Sequence, residues 1–247
     1  MPLMEHARNS DLMPPESIDA RRIEAEQATS VVRLRVTRTQ NKKGRGTGFI
    51  VANTANKLVV MTCGHSFHEW VRGTEVGVTF HDRRDASAEA VLINKEEEVA
   101  LLMIDTSSNP ELCAYPVVTF SYEDIRVGDF LVMLGHPHGM RGYHDVWNNF
   151  GWVTKEVGLT ATGLGSIVQM FSGDFGTGPD ASGSPVFGVD GRLVGMSIAG
   201  VQDMAYVLSV RWIWETLLKG IAELKRTNVI RLDVNCSCSC ILDLCFC

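Results

Sequence analysis

From Ser30 to Val210 the chain advances in short stretches rich in β-branched and apolar residues, among them SVVRLRVT, GTGFIVA, KLVVMTC, EVGVTFH, VALLMID, DFLVMLG, SPVFGV, RLVGMSI and AYVLSV. Turn-forming Gly, Asn, Asp and Pro separate these stretches, and helical periodicity between them is nearly absent. A parallel α/β sheet, which needs a helix in each crossover, is therefore excluded. About a dozen strands of this length predict an all-β fold of antiparallel sheets, a sandwich or a barrel. They divide evenly into two six-stranded halves, about residues 30–115 and 116–210, which meet near SSNPELCAYP. Only VRWIWETLLKGIAELKRTN breaks the pattern. There Ile213, Leu217, Ile221 and Leu224 recur at helical spacing and predict one C-terminal amphipathic helix, about 210–227, whose Trp and Leu stripe reads as core packing.

With 247 residues, 45% of them hydrophobic and 21% charged, the chain can bury one large core or two small ones. A net charge of -6 argues against a general nucleic-acid binder, and short basic pieces such as NKKGR read as solvated loops. No apolar run is long enough to span a bilayer. The start, MPLMEHARNSDLMPPESIDARR, has neither the apolar centre of a signal peptide nor the acid-poor character of a transit sequence. The expected location is thus intracellular, cytoplasmic by default. Residues 1–29 read as a polar arm with a short helix through IDARRIEAEQA. Of seven cysteines, Cys63 and Cys113 lie in the body and make no disulfide framework. Cys236, Cys238, Cys240, Cys245 and Cys247 crowd the segment 229–247, which matches no closed zinc pattern and reads as a disordered or incidental tail.

Three places carry the residue types that acyl transfer needs. Ser182 lies in GTGPDASGSPVFGVDGRLVG, among small residues and before a hairpin. A nucleophile needs such a setting so that its oxygen stands clear and backbone N–H groups can face an attacked carbonyl; a tight surface turn needs similar residues. His65 follows the apolar strand VVMTCG, where a lone histidine is usually structural. Glu98 enters the strand VALLMI from an acidic run that could simply face water, yet a carboxylate anchored there can accept the imidazole Nδ1 proton and fix its tautomer. Serine needs a base and the base needs an orienting acceptor, so the three gain weight together. A metal site from His65, His68, His136, His138 and His144 is the weaker reading, because HSFHE and HPH do not follow a helical zinc spacing. Neither metal nor cofactor is expected.

Six ordered stretches resemble the HtrA/Do-like (DegP-like) branch of the trypsin-like serine proteases. GTGFIV corresponds to the G-[ST]-G-F strand, MTCGHSF to the T-A-A-H block and EVALL to D-[LIV]-A-[LV]-L. VGDFLVMLGHPHG, GWVTK and DASGSPVFGVDGRLVGM follow in the family's order, so that the resemblance covers about residues 30–225. It implies two six-stranded antiparallel β-barrels with a C-terminal helix, within a protease domain at 30–228. It further implies a serine endopeptidase working through an acyl-enzyme on unfolded or damaged proteins, with protein quality control as its setting. His65 would be the base, Glu98 its orienting acid and Ser182 the nucleophile, with the N–H groups of Asp180 and Ser182 as the oxyanion hole. Ser197, Ile198, Ala199 and Gly200 would wall the substrate pocket. Gly176 would stand where an acidic pocket base selects Lys or Arg in trypsins, so a small or aliphatic residue is expected before the cut. Polypeptides are the implied partners, and a homo-oligomer is left open.

Three departures bear on activity. Glu98 replaces aspartate, and its extra methylene must be absorbed by movement of backbone or imidazole. Asp180 replaces glycine at the oxyanion turn, where a Cβ opposes the required backbone geometry. After Asn228 too few residues follow for the PDZ domain that many HtrA-like chains carry. The competing function is a protease-fold protein that has lost turnover and binds peptides.

Overall fold

Strands such as KLVVMT and VALLMID are apolar without alternation because both of their faces are buried. In the computed structural model, which describes residues 15–226 except 40–41, 55, 72, 137–145 and 163–164, successive side chains of these strands enter two different cores. Leu58 and Val60 point into one barrel while Val59 and Met61 point out of it into a layer shared with the second half. Ala100, Leu102 and Ile104 alternate with Val99 and Leu101 in the same way, as the two-residue period of a strand requires. Each fully buried aliphatic side chain contributes roughly 1.5–3 kcal/mol, so this two-faced burial is the main support of the fold.

Helix α1 (Pro15–Gln27) precedes β1 (Val31–Thr37), β2 (Lys43–Asn53), β3 (Lys57–Thr62), β4 (Val76–Thr79), β5 (Asp85–Asn94) and β6 (Val99–Asp105). These six strands close into one antiparallel barrel in the order β1-β2-β3-β6-β5-β4. The chain then forms β7 (Phe130–Gly135), β8 (Trp147–Ala161), β9 (Ile167–Gly173), β10 (Pro185–Gly188), β11 (Leu193–Val201) and β12 (Met204–Ser209), which close as β10-β11-β12-β9-β8-β7. Helix α2 (Val210–Arg226) ends the described chain. The all-β architecture of two six-stranded barrels with a C-terminal helix is the one expected.

Leu131, Met133, Phe171, Val186 and Val207 fill the second barrel. Between the barrels lies a third apolar layer that includes Phe49, Met61, Cys63, Val132, Phe187 and Leu208, and Ile213 and Leu217 of α2 join it. Ile221 and Leu224 continue the helix, their side chains outside the described set. The hydroxyl of Ser209 accepts the N–H of Trp212 at 3.2 Å and caps the start of α2. From β12 the helix crosses to the first barrel: the Trp212 indole donates to the Glu97 carbonyl at 3.2 Å, and Lys219 pairs with the Glu97 carboxylate at 3.0 Å.

The segment read as a polar arm holds a 13-residue helix that packs on the second barrel. Ala20 and Ile23, three residues apart, are its buried seam, and Arg22 donates to the Val189 carbonyl at 2.5 Å. Two buried apolar residues in a largely charged run, with Ile18 exposed on another face, give too faint a periodicity to announce this docking. Residues 1–14 and the cysteine tail at 229–247 lie outside the described residues.

Candidate active site

His65 sits in a short 3-10 turn, Gly64–Phe67, that follows β3. Phe67 is fully buried in the first barrel and anchors the turn, while the imidazole keeps 28% of its surface exposed. Glu98 is the last residue of the turn at 95–98, just before β6, and is 2% exposed. One of its oxygens, Oε2, accepts both the His65 backbone N–H and its Nδ1–H, each at 2.9 Å. That double acceptance fixes the turn and the ring together and directs Nε2 away from the acid.

The longer glutamate reaches the imidazole from an unusual backbone position. Glu98 has φ 61°, in the left-handed region that a non-glycine residue enters at about 1–2 kcal/mol. The packing of α2 on Glu97 holds this turn in place.

Ser182 lies in the turn between β9 and β10, partly exposed. Gly183, with φ 87°, follows it, and a Cβ there would collide with the Thr47 carbonyl and the Thr62 hydroxyl. Only glycine lets the nucleophile turn close onto β2. Across that closure Thr47 N–H donates to the Ser182 carbonyl at 3.0 Å, and Thr47 Oγ1 donates to the Asp180 carbonyl at 3.3 Å. The same hydroxyl accepts the His136 N–H at 3.0 Å. Asp180 takes the left-handed conformation, φ 68°, that glycine would adopt freely. Its Cβ therefore does not prevent the turn, and short Asp side chains enter this region more readily than most.

The expected residues are brought together unequally. His65 and Glu98 are joined directly. The Ser182 hydroxyl donates instead to the Ile198 carbonyl at 3.5 Å, and among the described residues no hydrogen bond joins it to His65. The His65 Nε2 faces Cys63 Sγ at 3.6 Å. This sulfur first, and the Glu98 carboxylate with it, hold the imidazole pKa well above its ordinary value against the opposing effect of burial.

Of the expected pocket walls, Ile198 and Ala199 line a cavity of about 640 Å3 beside His65 and Glu98, together with Met170 and Tyr206 of the same sheet. Ser197 is buried behind them. Gly176 lies apart from this cavity, its carbonyl held by Asn149 Nδ2 at 2.7 Å. Gly200 is exposed, with the side chain of Thr177 occupying the space a Cβ would need. Thr47, Cys63 and Thr177 were not singled out by sequence; Thr47 lies inside the GTGF stretch, which was the signal available for it. Among the described residues no cluster of three or more His, Cys, Asp or Glu side chains is placed to hold a metal, and His138 and His144 of that reading lie outside them.

A family profile described as a trypsin-like peptidase domain matches residues 46–196. The chain belongs to the trypsin-like peptidase domain family. Relatives of this peptidase domain include a probable periplasmic serine endoprotease DegP-like of Halomonas elongata, 26% identical over 160 residues, 64% of this chain and 30% of that protein. The periplasmic pH-dependent serine endoprotease DegQ of Escherichia coli is 26% identical over 64% of this chain and 31% of its own length. Protease Do-like 1, chloroplastic, of Arabidopsis thaliana is 26% identical over 64% of this chain and 33% of its own length. The peptidase domain is thus HtrA/DegP-like, and the chain spans about a third of the length of these curated relatives.

Among solved structures, the HtrA-type protease AlgW with a tripeptide superposes with TM-score 0.69 at 21% identity, over 85% of this chain and 64% of that one. A Mycobacterium tuberculosis protease in its active form gives 0.66 at 20% identity, over 88% and 94%. Both share the fold. The cytoplasmic location expected from the sequence is corrected by the bacterial relatives, which are named periplasmic; the composition of a leading segment was a poor guide to compartment. Among the described residues no helix is long and apolar enough to cross a membrane.

Proposed function

We propose that this chain is a serine endopeptidase acting on polypeptides through a Ser182 acyl-enzyme, with residues 30–228 as the peptidase unit. The observation that carries the reading is the Glu98 clamp on His65, because an imidazole held at Nδ1 by a buried carboxylate is the arrangement a serine nucleophile requires of its base. In the reaction His65 Nε2 takes the Ser182 proton as Oγ bonds to the substrate carbonyl carbon. It returns that proton to the departing amine as the C–N bond breaks, and water then releases the acyl group by the same path reversed. The N–H groups of Asp180 and Ser182 are assigned to the oxyanion, which the left-handed Asp180 backbone favours.

The cavity beside His65, walled by Met170, Ile198 and Tyr206, suits the apolar side chains that unfolded polypeptides expose. Thr177 lying against Gly200 narrows the space before the cut and favours a small or aliphatic residue there. Polypeptides are then the partners, and the net charge of -6 speaks against nucleic acid. The names of the relatives, serine endoproteases of the periplasm, support the same chemistry.

A second reading, a peptide binder without turnover, draws on the Ser182 hydroxyl facing Ile198 rather than His65. Hydrolysis of unfolded casein by the protein and by Ser182→Ala decides between them. The proposed activity predicts turnover that falls by at least about 1,000-fold in the variant; a folded protein that retains casein without cutting it establishes the second reading.

A further inference from the structure

Cys63 stands between β3 and the His65 turn, at a position where the T-A-A-H block has alanine, and its side chain is fully buried. Its sulfur lies 3.0 Å from Ser66 Oγ and 3.6 Å from His65 Nε2. Nε2 is the atom that must receive the Ser182 proton in the serine-endopeptidase reading, on which this inference rests. Both ring nitrogens are therefore occupied, one by Glu98 and one by Cys63, while the Ser182 hydroxyl is turned to the Ile198 carbonyl.

The neighbouring residue reinforces the arrangement. Gly64 replaces the second alanine of the block, and a Cβ on it would come within 2.5 Å of the Asn94 carbonyl and 3.0 Å of Lys95 Cα. Side-chain volume is thus withdrawn from the side of the loop that presses on the β5–β6 turn and supplied on the side where Cys63 meets the imidazole. The cysteine and the glycine act as a pair: one lets the loop seat against the acid turn, the other puts a polarisable hydrogen-bonding atom under the ring.

We propose that Cys63 is a positioning residue that holds His65 in a resting orientation, its Nε2 against the thiol, so that Ser182 must displace this contact before the base can take its proton. The sulfur is no nucleophile and undergoes no redox change; it competes for one nitrogen. The raised imidazole pKa agrees with this restraint, since a base already carrying a proton cannot accept another. The titratable groups in contact with the ring are Glu98 from the turn before β6 and Cys63 from its own loop, and His68 and Tyr206 line the same cavity.

The test is the rate at which a fluorophosphonate labels Ser182 across pH, in the full chain and in Cys63→Ala, Cys63→Val and Cys63→Ser. Valine fills the buried site without a polar atom, should alanine leave the protein unfolded. Removing the sulfur is expected to speed labelling near neutral pH by about tenfold, the effect of lowering the base's pKa by one unit, and to move the acid limb of the profile to lower pH. Serine, which restores a hydrogen-bonding hydroxyl but not a sulfur able to carry charge, is expected to return the limb part of the way toward that of the parent protein. Labelling at the parent rate with an unmoved limb in both apolar variants overturns the role of Cys63 while leaving the endopeptidase reading intact. Failure of every folded form to label overturns both.

Discussion

The two barrels have the same strand count and the same antiparallel closure, yet they hold their shares of the site by different means. The first barrel fixes His65 through side-chain chemistry, with one buried carboxylate oxygen binding both a backbone and a ring N–H. The second fixes Ser182 through the backbone, by a glycine with no room for a Cβ and by carbonyls that Thr47 reaches from across the interface. Proton handling is thus secured by charge and nucleophile placement by shape. The two should respond differently to substitution.

The largest separation is expected from Glu98→Gln. The amide can hold the ring in the wrong tautomer, and casein hydrolysis should fall by about 1,000-fold or more while the thermal midpoint moves little. A midpoint falling by tens of degrees would show that the acid serves the fold rather than the ring. Gly183→Ala should do the reverse. Its Cβ meets the Thr47 carbonyl at a left-handed backbone position, so a stability loss on the order of 3 kcal/mol is expected in urea unfolding, with activity lost as a consequence.

Thr47→Val keeps the shape and removes the hydroxyl that joins Asp180 and His136. About 1–2 kcal/mol of stability and about tenfold in kcat/KM should go together. Unchanged kinetics in this variant would remove Thr47 from the account of how the barrels align their halves of the site. The smallest effect belongs to Asp180→Gly, which frees a left-handed residue from strain of about 1 kcal/mol and should raise stability by no more than that. A clear loss of stability would mean that the aspartate side chain supports the turn.

The sequence carried the strands and their two six-stranded halves because strand period and turn residues act over short spans, and the six ordered motifs, through the resemblance, carried the barrels. The meeting of His65 with Glu98 was legible for the same reason: each follows or precedes an apolar strand, β3 and β6, and those strands pair directly. The contacts of Thr47 and Cys63 were not legible. Thr47 acts across 135 residues of chain on Ser182, a pairing that no local pattern records. Cys63 resembles any small apolar residue of a core strand until the side of the ring it faces is known. The left-handed backbone at Glu98 and Asp180 was hidden too, because neither residue type announces that conformation as glycine does.

Helix α2 has one further consequence. Its 17 residues make a rod about 25 Å long, rooted in the last strand of the second barrel and gripping Glu97 of the first through Trp212 and Lys219. Gly220 extends that grip by packing against Leu92, so two turns of the rod, at Trp212 and at Lys219–Gly220, bear on the stretch from Leu92 to Glu97. Mechanically this is a lever with its fulcrum at the acid turn. A force that tilts the helix is delivered one residue away from the carboxylate that orients His65.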